Sequence, residues 1–511
     1  MAGRRRTAPW LPSPLDFADR SLLKVPYRMT HLNHIDGQWI AATSGATFED
    51  RSPADDRDLI GTFPDSGAED VARAVACVGE AWPAWAAASP ELRADVLFKA
   101  ADIMSRRADE IAAELTREEG KTIGEARNEA RRIAANFRLY AGEALRTHGE
   151  TYPSEAGQIV FSLREPVGVV AVITPWNFPL SMAARKIAPA LAAGNGVIFK
   201  PSEVTPLMGQ RLVEVLLEAG VPPKLLALVH GRGASIGKAI TAHSGIDAIT
   251  FTGSYAVGRD IQSSVSTDTR CQLEMGGKNA TIVLADADLA KAAAIIERGA
   301  FGLTGQACTG TSRVLVARPL YEALVEKLAS VARAIKVGPG DAEGAKMGPL
   351  ATKAQYDKVL SYIAIARDEG ARIVTGGESL RETDPALAHG YFVSPAVIAD
   401  LPAGSRLLRE EIFGPVVAVR AIDTLDEAIA IADETEYGLA VSLVTSDLPS
   451  VLRFARLTRH GIVKVNGPTT GVGLNVPFGG FKHSSNQAAK EQGGATVMDF
   501  YTRIKSIYLG A

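Results

Sequence analysis

The chain has 511 residues, 46% of them hydrophobic and 22% charged, with a formal net charge of −3. This length calls for more than one domain, and the near-neutral balance supplies no basic field for nucleic acid or an anionic membrane. No apolar run is long enough to span a bilayer. Three irregularly spaced cysteines, Cys77, Cys271 and Cys308, exclude a disulfide framework and a CxxC zinc site, so no metal is expected and a reducing, cytoplasmic location follows.

The first 28 residues carry six basic side chains against Asp16 and Asp19 and lack the apolar core of a secretory signal. They read as a disordered extension, and Met29 begins a more ordinary opening. Between residues 68 and 145, apolar positions recur at three- and four-residue spacing, which predicts helices, with Gly120 as a stop. The period then changes. VGVVAVITP (residues 167–175) is a short β-branched run closed by proline and predicts a buried parallel strand. GVIFKP, LLALVHG and DAITFTG repeat the pattern, with the helical stretches SMAARKIAPALAAG, LMGQRLVEVLLEAG, ASIGKAITAHSG and YAVGRDIQSSV following the successive strands. Such alternation predicts a parallel sheet covered by helices on both faces, and these sheets bind ligands beyond the carboxyl ends of their strands. A second series starts near Asn279. It has strands NATIVL, RVLVAR, VVAVRAI, VSLVTS and GIVKVN, and helices from Leu320, Lys353, Leu425 and Leu448. Two α/β domains with a cleft between them are expected. The tail VMDFYTRIKSIYLG reads as a terminal strand in need of an edge, with another subunit as one candidate.

Chemistry-bearing residues lie at the ends of these strands. ITPWNFP places Trp176 and Asn177 directly after a strand, between prolines that stiffen the turn. Asn177 can point its amide N–H into the cleft, or cap the following helix. In KPSE, Lys200 and Glu203 follow a strand. A carboxylate there can accept from both hydroxyls of a ribose, or form a solvated loop salt bridge. FTGS puts Gly253 and Ser254 at a helix start, where backbone N–H groups can face a pyrophosphate. GRGASIG is one residue too long for the dinucleotide fingerprint. Glu274, in LEMGGKN, ends a strand between Leu273 and Met275. Partly apolar surroundings raise a carboxyl pKa and suit it to act as a base, although it can instead bond the Gly-Gly backbone. Cys308 comes 34 residues later, in FGLTGQACTGTSR. Gly305, Gln306, Thr309 and Gly310 do not make a core, whereas a thiolate with small neighbours is an accessible nucleophile. A helix N-terminus or a cation would lower its pKa. Cys77, on an apolar helix face, and Cys271, in a strand, read as inert thiols.

Taken together, the chain resembles the aldehyde dehydrogenase superfamily from about residue 33 to the C-terminus. The resemblance runs through TPWNFP, KPSE, FTGS with Gly258, LEMGGKN, GQAC, EEIFGPV, VNGP and PFGGFKHS in that order. It implies two parallel-sheet α/β domains and a small oligomerisation arm. The Rossmann-like cofactor domain would comprise residues 29–146 and 166–275, the catalytic domain 276–484, and the arm and tail 147–165 and 485–511. It implies a homodimer or homotetramer that oxidises an aldehyde to an acid with NAD, preferred, or NADP. Cys308 would be the nucleophile, Glu274 the general base, and Asn177 the oxyanion donor together with the Cys308 N–H. Trp176, Lys200, Glu203, Gly253, Ser254 and Gly258 would hold the adenosine and pyrophosphate. Glu411 and Phe413 would hold the nicotinamide ribose and ring.

Three departures from the family pattern stand out. Tyr255 occupies a position where many members have a small residue. SNQAAKEQGG follows PFGGFKHS where many have a shorter stretch, which puts an altered loop near the substrate entrance. Arg185 stands where succinic semialdehyde dehydrogenases bind the substrate carboxylate, yet Gly302 stands where those enzymes have a second arginine. GPTTGVGLNVPFGG is similar to the matching segment of α-ketoglutaric semialdehyde dehydrogenases. These features point to a short aldehyde bearing a carboxylate. The alternative is an uncharged aliphatic or aromatic aldehyde, with Arg185 on a helix surface. A cysteine hydrolase would need a paired histidine, and none of the eight lies in a motif-like context near a strand end. A non-catalytic scaffold would not need Cys308, Glu274 and Asn177 together.

Overall fold

The computed structural model describes residues 30–487, 490, 491, 493 and 495–510. The extension expected over the first 28 residues lies outside them. The described chain opens with a hairpin of β1 (Asn33–Ile35) and β2 (Gln38–Ile40), turned by Asp36 and Gly37, both at positive φ (56° and 71°). A second hairpin, β3 (Thr47–Arg51) and β4 (Leu59–Pro64), leads into three helices, α1 (Ala68–Ala86), α2 (Pro90–Glu119) and α3 (Ile123–Arg146). Gly120 ends α2 in the left-handed region at φ 95°, as the sequence predicts. The short β5 (Thr151–Tyr152) and longer β6 (Ile159–Pro166) precede the alternating series. That series is β7 (Val169–Ile173), α4 (Pro179–Ala193), β8 (Gly196–Lys200), α5 (Pro206–Glu218), β9 (Leu226–Leu228), α6 (Gly233–Thr241), β10 (Ala248–Thr252), α7 (Tyr255–Ser264) and β11 (Arg270–Glu274).

These strands form a sheet in the order β11-β10-β7-β8-β9-β1-β2. Its first five strands are parallel, and the hairpin adds an antiparallel edge. Helices α2 to α5 cover one face, and α1, α6 and α7 the other. Strand order reverses between β7 and β10. The crevice at this switch point therefore lies between the turn carrying Trp176 and Asn177 and the FTGS turn. Every residue of α4 is buried, Arg185 and Lys186 included.

The second sheet begins with β12 (Asn279–Val283), α8 (Leu289–Phe301), β13 (Thr311–Ala317), α9 (Tyr321–Ala334), α10 (Lys353–Asp368), β14 (Arg372–Thr375), α11 (Leu380–Thr383), β15 (Ala396–Ala399), α12 (Arg406–Arg409) and β16 (Val416–Ile422). It continues with α13 (Leu425–Asp433), β17 (Tyr437–Gly438), β18 (Ala440–Val444), α14 (Leu448–Leu457) and β19 (Ile462–Val465). The order is β14-β15-β16-β13-β12-β18-β19, parallel except for β14 at one edge. A short strand, β20 (Phe481–Lys482), pairs with β17. The tail is a strand over its second part only. Its first part is α15 (Ala495–Tyr501), whose Val497, Met498 and Tyr501 pack into the core around α4. Only β21 (Thr502–Leu509) is extended, and it finds its edge within the same chain, antiparallel to β6.

A buried carboxyl pair fastens α5 to this frame. Glu118 accepts the N–H groups of Leu207 and Met208 at the first turn of α5 (2.6 and 3.1 Å) and shares a hydrogen bond with Asp50. Burial pushes both carboxyls well above the ordinary range. A carboxyl raised in the folded state contributes stability that is fully present below its unfolded pKa and is lost as pH rises through the folded value. Asp50→Asn keeps the shape without the charge. In thermal melts it is expected to match wild type near pH 4 and to exceed it in alkaline buffer by about 1–3 kcal/mol. A gap that does not vary with pH would show that the pair does not titrate as described.

Candidate active site

The segment that carries Cys308 is bent sharply. After α8, Leu303 (φ 54°), Thr304 (φ 56°) and Gly305 (φ 69°) are successively left-handed. For the two non-glycine residues this costs on the order of 1 kcal/mol each, so surrounding contacts must hold the bend. The Leu303 N–H donates to Glu125 Oε1 (2.7 Å), Thr304 Oγ1 to the Gly348 carbonyl (3.1 Å), and the Ala351 N–H to Gln306 Oε1 (3.0 Å). A Cβ at Gly305 would lie 2.2 Å from the Gly414 carbonyl oxygen, and one at Gly277 would lie 2.8 Å from that of Cys308. The glycines are there because backbones meet. Asn279 Nδ2 donates to the Cys308 carbonyl (2.8 Å), while the Cys308 N–H has no acceptor among the described residues.

Asn177 faces this bend. Its Nδ2 donates to the Gln306 carbonyl at 2.8 Å, leaving its second amide hydrogen available. It does not cap α4, whose cap position is Phe178 with no side-chain bond. The Asn177 carbonyl accepts from Lys121 Nζ (2.8 Å), which also donates to Glu129 Oε2 (2.6 Å). Glu129 Oε1 in turn accepts the N–H groups of Leu180 and Ser181 in the first turn of α4 (3.1 and 3.0 Å).

Glu274 is buried at the end of β11. Ser485 Oγ donates to its Oε1 (3.2 Å), and its Oε2 has no partner among the described residues. Burial first, and the nearby Glu491 carboxylate second, push Glu274 well above the usual carboxylate range. The bond to the Gly-Gly backbone considered for Glu274 belongs instead to Glu411, whose Oε1 accepts the Gly277 N–H at 2.9 Å. The stretch after PFGGFKHS brings Ser485 and Glu491 close to Glu274. There Glu491 is fully buried, 3.1 Å from Lys186 Nζ, and accepts from Thr252 Oγ1 (2.8 Å). Nor is the Cys308 thiol lowered as expected. Burial pushes it up to about 12, the Glu491 and Glu411 carboxylates add to the rise, and Arg185 opposes it.

The residues assigned to the dinucleotide by the family resemblance start from the switch point. Trp176 stands edge-on to Phe413 at 5.5 Å and 87°, which joins the two domains across the cleft. Lys200 is buried and donates to the Pro201 carbonyl (2.8 Å) and to the part-exposed Glu203 (3.4 Å). The Gly253 N–H donates to the Glu274 carbonyl (3.0 Å), and Ser254 caps α7 by accepting from the Val257 N–H (3.4 Å). Gly258 is buried one turn into α7 against Met275. Tyr255 stacks on His483 (3.9 Å, 14°), tying α7 to the FKHS segment. A helix N-terminus, an acid paired with a buried lysine, and the buried Thr174 hydroxyl, which has no partner among the described residues, lie at the carboxyl ends of neighbouring strands, a donor and acceptor set that fits a dinucleotide. No cluster of His, Cys, Asp and Glu among the described residues could hold a metal ion.

Arg185 is not on a surface. It is 6% exposed, its guanidinium lies 5.7 Å from the centre of the Phe478 ring, and its Nε has no partner among the described residues. Gly302, where a second arginine would stand, has no side chain. Sequence reasoning missed Lys121, Glu129, Lys186 and Glu491, none of which stands in a motif with the residue it supports.

The profile of the aldehyde dehydrogenase family matches residues 39–507. An alpha-ketoglutaric semialdehyde dehydrogenase of Bacillus subtilis (strain 168) is 42% identical over 482 residues, covering 94% of this chain and 98% of its own length. A 2,5-dioxopentanoate dehydrogenase of Saccharolobus solfataricus is 39% identical over 477 residues, covering 93% and 98%. The crystal structure of PnpE in complex with nicotinamide adenine dinucleotide superposes with a TM-score of 0.91 at 36% identity, covering 94% of this chain and 98% of PnpE. The chain belongs to the aldehyde dehydrogenase family and is an NAD(P)-dependent aldehyde dehydrogenase. No helix among the described residues is long and apolar enough to cross a membrane.

The raised Cys308 thiol has a measurable consequence in the protein without cofactor. Alkylation of Cys308 by iodoacetamide, followed by peptide mass spectrometry, is expected to keep accelerating beyond about pH 10, whereas a free thiol levels off soon after its pKa of about 8.5. A plateau near the free-thiol value would show that burial does not control this sulfur.

Proposed function

We propose that this enzyme oxidises a short aldehyde bearing a carboxylate to the corresponding dicarboxylic acid, through covalent catalysis by Cys308 and with NAD preferred. One observation carries the substrate class. Arg185 is a buried guanidinium with no carboxylate partner among the described residues, and it lies about two helical turns into α4, the helix that follows the turn bearing Asn177. A buried cation without a counter-ion is costly, and a substrate carboxylate supplies one. The names of the semialdehyde-oxidising relatives support the same class.

In this reading the Cys308 thiolate adds to the aldehyde carbon while the carbonyl π pair moves onto the oxygen, and loss of that carbon's hydrogen as hydride leaves a thioester. The remaining Asn177 N–H and the Cys308 N–H meet the developing oxyanion, with Lys121 fixing the Asn177 backbone carbonyl and the Gln306 carbonyl fixing its side chain. Trp176, Lys200, Glu203, Gly253, Ser254, Gly258, Glu411 and Phe413 are the residues that would hold the dinucleotide. When bound, its nicotinamide accepts the hydride. Glu274, with its affinity for a proton raised by burial, takes one from the water that attacks the thioester carbon. The carbon–sulfur bond then breaks, and the acid leaves with the Cys308 thiolate restored. The arm of β5, β6 and β21 exposes Ile504 and Tyr508 (63% and 72%), side chains that a second copy would cover in a homodimer or homotetramer. The three free cysteines suit a reducing cytoplasm.

The test is a panel of aldehydes followed by NADH absorbance. Wild type is expected to favour α-ketoglutaric or succinic semialdehyde over an alkanal of similar length. Arg185→Ala should reduce that ratio of efficiencies by about 10- to 150-fold, the value of a charged hydrogen bond. A wild-type preference for benzaldehyde or a simple alkanal overturns the substrate class.

Cofactor choice is tested separately. A carboxylate at Glu203 accepts ribose hydroxyls and repels a 2′-phosphate, so kcat/KM with NAD should exceed that with NADP, and Glu203→Gln should narrow the gap. Equal efficiency with the two cofactors in wild type contradicts the preference.

A further inference from the structure

Helix α3 packs along α4, and Arg132, Asn136 and Tyr140 of α3 recur at four-residue spacing on one of its faces. Arg132 Nε, both side-chain atoms of Asn136, the Tyr140 hydroxyl and, on α4, Arg185 Nε are all buried without a hydrogen-bond partner among the described residues. Buried polar atoms in native proteins are overwhelmingly satisfied, so five orphans along one pair of helices demand an explanation. Two of the five belong to guanidinium groups, and neither arginine pairs with a carboxylate among the described residues. Arg132 donates from Nη2 to the Val472 carbonyl, and the Arg185 guanidinium lies over Phe478 at 5.7 Å. Val472 and Phe478 pack in the same apolar cluster as Cys308. The two arginines, from two helices, therefore converge on one wall beside the nucleophile. Burial first, and the field of Arg185 second, make Arg132 harder to protonate, as expected for two neighbouring cations.

We propose that Arg132 is the second cation of the substrate site, and that Arg132 and Arg185 together clamp the far carboxylate of the semialdehyde. The position where the sequence comparison looks for that cation, Gly302, has no side chain, and α3 supplies the charge from a different direction. Two planar guanidinium forks approaching from different helices can engage both oxygens of one carboxylate, which fixes the distance from that group to the aldehyde carbon. The bond from Arg132 to the Val472 carbonyl makes the same residue a brace for the wall it serves. This inference rests on the carboxylate-bearing substrate proposed above.

The experiment compares kcat/KM for succinic semialdehyde and for butanal in wild type, Arg132→Gln, Arg132→Lys and Arg185→Gln, with melting curves to establish folding. Glutamine retains a donor for the Val472 carbonyl but no charge. Arg132→Gln is expected to lower the ratio of efficiencies, succinic semialdehyde over butanal, by about 10- to 150-fold through KM. Arg132→Lys should fall between the two because it restores charge without the fork. If wild type shows no preference for succinic semialdehyde, the carboxylate reading fails and takes this inference with it. If Arg185→Gln loses the preference while Arg132→Gln keeps it, the assignment of Arg132 alone is overturned. A parallel loss with both substrates, leaving the ratio intact, marks Arg132 as structural and also overturns it. Should Arg132→Gln fail to fold, Arg132→Lys decides: a raised KM for succinic semialdehyde alone supports the clamp, and an unchanged KM overturns it.

Discussion

A single ammonium group, Lys121 Nζ, anchors the turn on which the site is built. It is buried with Glu129 and Glu119 and donates to the Asn177 carbonyl, while Glu129 also collects the N–H groups at the start of α4. A charge placed so deep is tolerated only where ionic partners and hydrogen bonds compensate it, and loss of one partner leaves the other stranded. The arrangement therefore fixes three things together: the end of α2, the turn bearing Trp176 and Asn177, and the first turn of α4. Because α4 is buried on every side, its register then sets where Arg185 and Lys186 point, since neither side chain can turn outward to water. Arg185 is delivered toward the wall beside Cys308. Lys186 is delivered to Glu491, and so to the segment beneath Glu274.

Within this frame, desolvation outweighs local charge. Cys308 and Glu274 are both raised mainly by burial, and the neighbouring Glu491 carboxylate raises both further. Arg185 pulls the thiol down but does not overcome the loss of water. Burial thus raises the proton affinity of both groups, because their charged forms lose water that no nearby cation replaces in full. Lys186 follows the same rule from the other side: burial lowers it, and Glu491 restores part of what burial removes. Proton affinity at the centre is consequently a property of the closed-in surroundings rather than of any one ion pair.

The sheets were legible because their strands are continuous β-branched runs, buried on both faces and punctuated by helices of clear period. The carboxyl-end positions of Trp176, Lys200, Glu203, Gly253, Ser254 and Glu274 followed from that alternation. The hairpin at Asp36 and Gly37 was missed because three-residue strands give no period, although the Asp-Gly pair is itself a turn signature. For Arg185 the sequence left two readings open, a substrate-carboxylate site and a helix surface. SMAARKIAPALAAG has no charged residue besides Arg185 and Lys186, so α4 lacks a polar stripe and suits complete burial. The partners of Asn177 were beyond reach. Gln306 lies 129 positions away and Lys121 56, and both bonds involve a backbone carbonyl, which any residue type would present.

The last part of the chain shows why motif and support separate in this way. PFGGFKHS is a recognisable string, yet the residues that brace Glu274 come from within it and after it. Ser485 bonds the carboxylate, Glu491 meets Lys186, and α15 packs into the core around α4 before β21 closes the sheet with β6. One continuous segment thus contributes to the wall beside Cys308, the environment of the base and the edge of the arm. Those three features are far apart in function but are carried by stretches of one tail, so the position of the base depends on tail residues that carry no chemistry themselves. Depth of burial then does for Glu274 what a dedicated partner does in an exposed site: the tail excludes water, and the exclusion sets its proton affinity.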